Sequence, residues 1–242
     1  LILSANAILY IALTVALAGA SGGLVLFNFP KGARTVTLFG GGFLSGIAVF
    51  GVLPELAGRT GWVRGLPAFG TGYVLMWFLD RYLHRTREES GDRGLVVPLL
   101  FAAWVHAFID GWGLAAAVSA TNAAIRLSFP LAITLHKAPE GLALGAIFLS
   151  TAGSRKAALA LCFLAESATV IGGWTAVALI PRLGTEWTNY PLALAGGCFL
   201  YLGAHGVHSE WKRNGLGFAL WPAVAGLAGA AVIQSGIAAN LP

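Results

Sequence analysis

Charge is what this chain has least of. Lysine, arginine, aspartate and glutamate together make up 10% of its 242 residues, against about 25% in an ordinary soluble domain. With 57% hydrophobic residues and a mean hydropathy of +0.77, there is too little polar surface to face water all round. Cysteine is nearly missing. Cys162 and Cys198 stand far apart in apolar runs, which excludes a disulfide framework and reads as two small core hydrophobes. Cys162 also lies one turn before Glu166, so a minor ligand role stays open for it. No Gly-x-x-x-x-Gly-Lys-Ser/Thr phosphate loop occurs, which argues against nucleotide-driven work. No soluble domain, low-complexity tail, long linker or basic-fronted cleavable leader is recognisable.

What fills the chain instead is long apolar runs. Measured against the ~20 residues that cross a bilayer, they number eight. They fall near Ala5–Phe27, Val36–Ala57, Leu66–His84, Leu95–Ser119, Ala123–Ser150, Ser154–Ile180, Tyr190–Trp211 and Leu216–Ala239. The breaks are Pro30-Lys31-Gly32, Gly58-Arg59-Thr60-Gly61, the charged stretch Arg85–Arg93, a short turn at Thr151–Lys156, and Pro181-Arg182-Leu183-Gly184. The expected fold is an all-α integral membrane protein, residues 1–242 forming one polytopic bundle with both termini on the same side.

Lysine and arginine decide which side. Odd-numbered connections hold ten of them (Lys31, Arg34, Arg81, Arg85, Arg87, Arg93, Arg155, Lys156, Lys212 and Arg213), and even-numbered ones hold four (Arg59, Arg64, Arg126 and Arg182). The excess marks the cytoplasmic face, so both termini are expected outside the cytoplasm, in a multi-pass protein of the plasma (inner) membrane. The formal charge of +5 is mostly this asymmetry and calls for no nucleic-acid partner.

Inside the apolar runs, one pattern occurs twice. His106-Ala107-Phe108-Ile109-Asp110-Gly111 lies in the fourth run and His136-Lys137-Ala138-Pro139-Glu140-Gly141 in the fifth. A spacing of four puts each histidine and its carboxylate on one helix face. A single pair reads equally well as a structural tie. Two pairs at matching depth on neighbouring helices supply four nitrogen and oxygen ligands for a zinc-like dication, and ionisable groups at membrane depth are costly enough to mark function. Gly111 and Gly141 leave room for a neighbouring backbone, as do Gly42, Gly46 and Gly145. Pro139 is expected to kink the fifth helix beside its ligands and to free the carbonyl of Leu135. Lys137 at mid-membrane needs a partner, and Glu140 three residues on and Glu166 in the sixth run are the candidates.

These residues resemble the ZIP (Zrt/Irt-like) family of divalent-metal transporters. The fourth helix of that family carries a His-x-x-x-carboxylate-Gly motif, matched by His106–Gly111, and the fifth a His-x-x-Pro-Glu-Gly motif, matched by His136–Gly141. Leu53-Pro54-Glu55, Ala165-Glu166-Ser167 and Leu200-Tyr201-Leu202-Gly203 also fit. The resemblance implies a transport site of His106, Asp110, His136 and Glu140. It implies as well that a second metal site found in many members is reduced here to a remnant, Ala107, Lys137 and Glu166, with the ammonium standing where an acidic ligand would be. Gly51 replaces a histidine of many members, which weakens a capture site before Glu55. An elevator-like bundle containing the fourth and fifth helices, and a homodimer, are further implications.

At the cytoplasmic end of the seventh run, His205, His208 and Glu210 join Asp80 and His84 as candidates for a release station, against the plainer reading of polar residues at a wet helix end. Glu55, at the outer end of the second, is the candidate for ion capture. The expected function is movement of a divalent transition metal toward the cytoplasm, with Zn²⁺ as the transported substrate and Fe²⁺, Mn²⁺, Cd²⁺ and Co²⁺ also suited to the ligands, and with no organic cofactor. A rival is an intramembrane zinc hydrolase with Glu166 as general base. It lacks a His-Glu-x-x-His motif, and four protein ligands would close its metal. A metal-sensing receptor has no output domain to act through.

The orientation predicts that single cysteines placed within Arg85–Arg93 and within Arg59–Arg64, in a background lacking Cys162 and Cys198, label oppositely with an impermeant thiol reagent. Labelling of the Arg85–Arg93 stretch from outside intact cells reverses the topology.

Overall fold

The computed structural model describes residues 5–26, 30–94, 96–118, 120, 123–152, 154–183, 187 and 189–240, with the side chains of some helical residues, His136 and Pro139 among them, outside that description. Helices make up nearly all of the described residues, and no strand occurs among them. They form eight rods: α1 (Ala5–Leu26), then α2 (Pro30–Gly46), a π-helical segment (Ile47–Val52) and α3 (Leu53–Thr60) as one continuous rod, followed by α4 (Trp62–Gly94), α5 (Val96–Val118), α6 (Ala123–Ala152), α7 (Arg155–Leu183), α8 (Asn189–Asn214) and α9 (Leu216–Asn240). The eight apolar runs correspond to these rods one for one. Four described stretches are long and apolar enough to cross a membrane: Leu38–Thr60, Leu100–Val118, Arg155–Leu183 and Leu216–Ser235. Two shorter apolar stretches, Asn6–Ala20 of α1 and Ala123–Thr134 of α6, accompany them among the described residues.

Two boundaries differ from the sequence expectation. The charged stretch Arg85–Arg93 is helical, since α4 continues to Gly94. Arginine and glutamate are good helix formers, so the end of an apolar run marks where a helix leaves lipid and not where it stops. The second run is also not one uniform helix. Pro54 has no N–H and crowds the carbonyl four residues back. The chain absorbs this by widening to a π turn, in which the Leu53 N–H reaches the Ala48 carbonyl. The break after α3 falls at Gly61, whose φ of +73° suits glycine.

The rods sort into two groups. In one, α5 packs on α7, and α1 packs on α6 and α7. In the other, α2 lies against α8 and α9, and α4 against α8. Between the groups, α5 meets α8, and α6 meets α2 and α9. Close approach depends on small residues. A methyl group on Gly111 would collide with the Thr169 carbonyl of α7, one on Gly141 with the Gly19 carbonyl of α1, and one on Gly42 with the Ala223 carbonyl of α9.

The seam between the groups is closed at one end and open at the other. Toward Gly61, Ile125, Phe129 and Ile133 of α6 pack into a fully buried cluster with Val52, Leu56 and Phe199, and the rings of Phe129 and Phe199 stack at 4.8 Å. There Gln234 of α9 donates to Ser128 of α6 at 2.8 Å, a buried polar tie across the seam. Toward Gly215 the groups part around a cavity lined by α5 and α6 on one side and by α2, α4 and α8 on the other, and a second cavity lies between α4 and α8.

Gly141→Val pushes a side chain into the α1 backbone and should lower stability by about 3 kcal/mol, the upper range for overpacking. Gly70→Ala, where an added methyl meets nothing within 4 Å, should be neutral or slightly stabilising. Thermal unfolding of purified protein followed by tryptophan fluorescence separates the two, and equal midpoints contradict the packing.

Candidate metal centre

The helix period brings the first motif together as its spacing demands. On α5, His106 Nε2 lies 3.4 Å from Asp110 Oδ2, with both side chains buried. From α6, Glu140 Oε2 comes within 3.7 Å of the same imidazole nitrogen. The ligating atoms of His106, Asp110 and Glu140 all lie within 4.8 Å of one another, the one such set of three among the described residues. His136, the fourth expected ligand, sits one turn before Glu140 on α6, but its side chain lies outside the described residues. The same holds for the Pro139 kink; the α6 backbone is helical from Ala123 to Ala152.

Beside this set lies the most unusual feature of the molecule. Lys137 is fully buried, and its Nζ touches three carboxylates: Glu140 Oε2 at 2.9 Å, Asp110 Oδ2 at 3.1 Å and Glu166 Oε2 at 3.1 Å. Pairing with Glu140 and Glu166 follows the sequence reading. Asp110, reaching across from α5, is an addition that no spacing within one helix could show. The oxygens that hold the ammonium from α5 and α6 are the same two that face His106. With neutral imidazole, the three carboxylates and one ammonium carry a formal charge of −2. Ala107 is buried and offers no ligand atom.

Glycines build the lid over this cluster. Gly111 admits α7, and so Glu166, beside α5. Gly19 of α1 lies directly over Glu166, where an added Cβ would fall 2.7 Å from its carboxyl carbon. The sequence reading did not single out Gly19. Its only signal was the small-residue run Gly19-Ala20-Ser21-Gly22-Gly23 in α1.

A cavity of about 340 Å³ opens from His106 and Glu140 into the seam and reaches Asp80, Tyr201 and His205. Those three also line a larger cavity of about 680 Å³, which continues to His84, Arg85 and His208 at the Gly215 end. Tyr201 donates its hydroxyl to Asp80 Oδ2 at 2.9 Å and stacks on the His205 ring. His84 Nε2 is 3.7 Å from Asp80 Oδ1. Four of the five residues expected at a release station thus line one cavity, although they do not form a tight cage. Glu210 instead accepts from Asn214 at 2.6 Å at the end of α8. Tyr201, known in the sequence only as part of a motif, emerges beside Asp80 and His205 as one of the residues shared by the two cavities.

At the other end, Glu55 is buried and paired with Arg59 Nε at 3.2 Å, and Arg59 donates to Asn189 at 2.9 Å. An incoming cation at Glu55 has to compete with that guanidinium. Cys162 belongs to an apolar cluster with Ala103 and Phe148, and Cys198 packs against Met76 and Tyr201.

Removing the ammonium strands three carboxylates, two of them, Asp110 and Glu166, buried. Lys137→Met should therefore destabilise metal-free protein by on the order of 3–5 kcal/mol, and Glu166→Gln in the same chain should recover part of that loss. Denaturant or thermal unfolding in chelator measures both, and an unaffected Lys137→Met contradicts the pairing.

Among known sequences, the profile of the ZIP zinc transporters matches residues 84–234, which includes both histidine motifs, Glu166 and the α8 cluster. No individual curated protein matches the chain.

Proposed function

The chain belongs to the ZIP zinc transporter family, and from that premise we propose that it carries Zn²⁺ toward the cytoplasm through the site of His106, Asp110, His136 and Glu140. Membership by itself makes the chain a membrane transporter of divalent metal. The finer reading is supported by one observation: a largely buried imidazole–carboxylate set, in a cluster of formal charge −2, opens into a cavity that leads past Asp80, Tyr201 and His205 toward the Gly215 end. A single dication brings that set to neutrality, which a site of low dielectric favours strongly. Imidazole and carboxylate oxygen suit zinc and its neighbours without the tight hold of thiolates.

All eight rods cross the plasma membrane in this reading, with the Gly215 end in the cytoplasm. The arginine and lysine excess supports that placement, since Arg81, Arg85, Lys212 and Arg213 belong to that end. The described conformation is then open inward and sealed outward. The two groups of rods support an elevator-like cycle, in which α1, α5, α6 and α7 carry the site past the other rods and the protein acts as a homodimer. Asp80, His84, His205 and His208 would receive the departing ion, with Tyr201 releasing Asp80 as it passes, and Glu55 would attract ions outside. Against the hydrolase reading, the carboxylate it would use as general base is engaged by Lys137 at 3.1 Å.

Asp110→Ala and His136→Ala each remove a direct ligand without touching the packing glycines. Each should reduce Zn²⁺ uptake into proteoliposomes at least about ten-fold, the loss expected when a charged or coordinating partner is deleted from a buried site. Uptake equal to the parent at equal protein incorporation sinks the site assignment.

A further inference from the structure

We propose that Lys137 is a valence filter: by holding the buried cluster at −2, it makes the site select one doubly charged cation over ions of other charge. The inference rests on the metal-site reading above and adds what decides its selectivity. Donor type alone does not fix valence, because nitrogen and oxygen donors bind ions of several charges. Valence is settled by every charge that shares the same dry volume. Here that volume holds Asp110, Glu140, Glu166 and Lys137, all but Glu140 at most 1% exposed.

Nζ lies 3.1 Å from Asp110 Oδ2 and 2.9 Å from Glu140 Oε2, and these oxygens face His106 Nε2. An ion coordinated there is within a few ångströms of the ammonium. At such range, with little water between, each unit of charge changes the interaction with the bound ion steeply. A dication leaves the cluster neutral, a trication leaves it at +1, a monovalent ion at −1, and two dications at +2. Glu166 is the second control. It touches Lys137 at 3.1 Å and is not among the proposed ligands, so substitutions at 137 and 166 move the charge and leave the ligands in place.

This gives a ladder of variants. Glu166→Gln sets the cluster at −1, the parent at −2, and Lys137→Met at −3. Lys137→Met combined with Glu166→Gln returns it to −2 with neither charged residue present. Equilibrium dialysis of purified protein against Zn²⁺ or Tb³⁺, read by elemental analysis, gives the ratio of trivalent to divalent affinity. That ratio should rise by about ten-fold or more per unit of added negative charge. The order should be Glu166→Gln lowest, parent and double variant equal, and Lys137→Met highest. Glu166→Gln and the double variant leave fewer unpaired charges than Lys137→Met, so the ladder can be read even if that single variant does not fold. Lys137→Asp, at −4, should bind two Zn²⁺ ions where the parent binds one.

A ratio that does not change between Glu166→Gln, the parent and the double variant's matched charge overturns the filter, as does a double variant differing from the parent as much as from Glu166→Gln. A parent that binds no Zn²⁺ sensitive to Asp110→Ala overturns the metal-site reading itself, and the filter with it. The two failures are told apart by whether the parent binds Zn²⁺ at all.

Discussion

The ammonium of Lys137 among three carboxylates is the interaction on which the centre of the molecule depends. Asp110, Glu140 and Glu166 come from three different helices, and none can be dry and ionised alone without a large desolvation cost. One cation tethered to α6 makes their convergence affordable. It also pins α5, α6 and α7 together at the depth where the histidines lie. The packing glycines follow from this. Three helices cannot bring short carboxylates to one point unless their backbones approach closely, and Gly111, Gly141 and Gly19 occupy the points of closest approach.

The second constraint is the asymmetry of the seam. Where α6 meets α2, α8 and α9 toward Gly61, aromatic and branched side chains exclude water, and Gln234 donates to Ser128 across it. Toward Gly215 the seam opens around a cavity whose α4 and α8 side carries Asp80, Tyr201 and His205. A charge leaving the central set therefore meets polar groups in one direction and hydrocarbon in the other.

Much of this was legible in the chain. Apolar runs long enough to cross a membrane gave the eight rods, because in lipid the backbone has to satisfy itself within a helix. The four-residue spacing placed His106 against Asp110, and the glycines after each carboxylate pointed to close helix contacts. Three things could not be read. Asp110 and Lys137 meet across two helices, and spacing speaks only within one. Gly19 matters only because Gly141 and Glu166 lie opposite it, and nothing in α1 reports that. Asp80 and Tyr201 stand 121 residues apart in sequence, and their bond needs the packing of α4 on α8. The helical extension past His84 was misjudged because hydropathy reports the surrounding solvent and not the backbone.

The π segment at Ile47–Val52 has a geometric outcome of its own. One surplus residue in a turn rotates everything after it by about 100° relative to a regular α-helix. The rod from Pro30 to Thr60 therefore carries two faces out of phase. Before the segment, Gly42 and Gly46 address α9; after it, Arg59, paired with Glu55, addresses the start of α8. A helical wheel drawn straight through this rod would assign one half to the wrong neighbour. Deleting a single residue there would untwist the phase and make the two halves compete for the same partner.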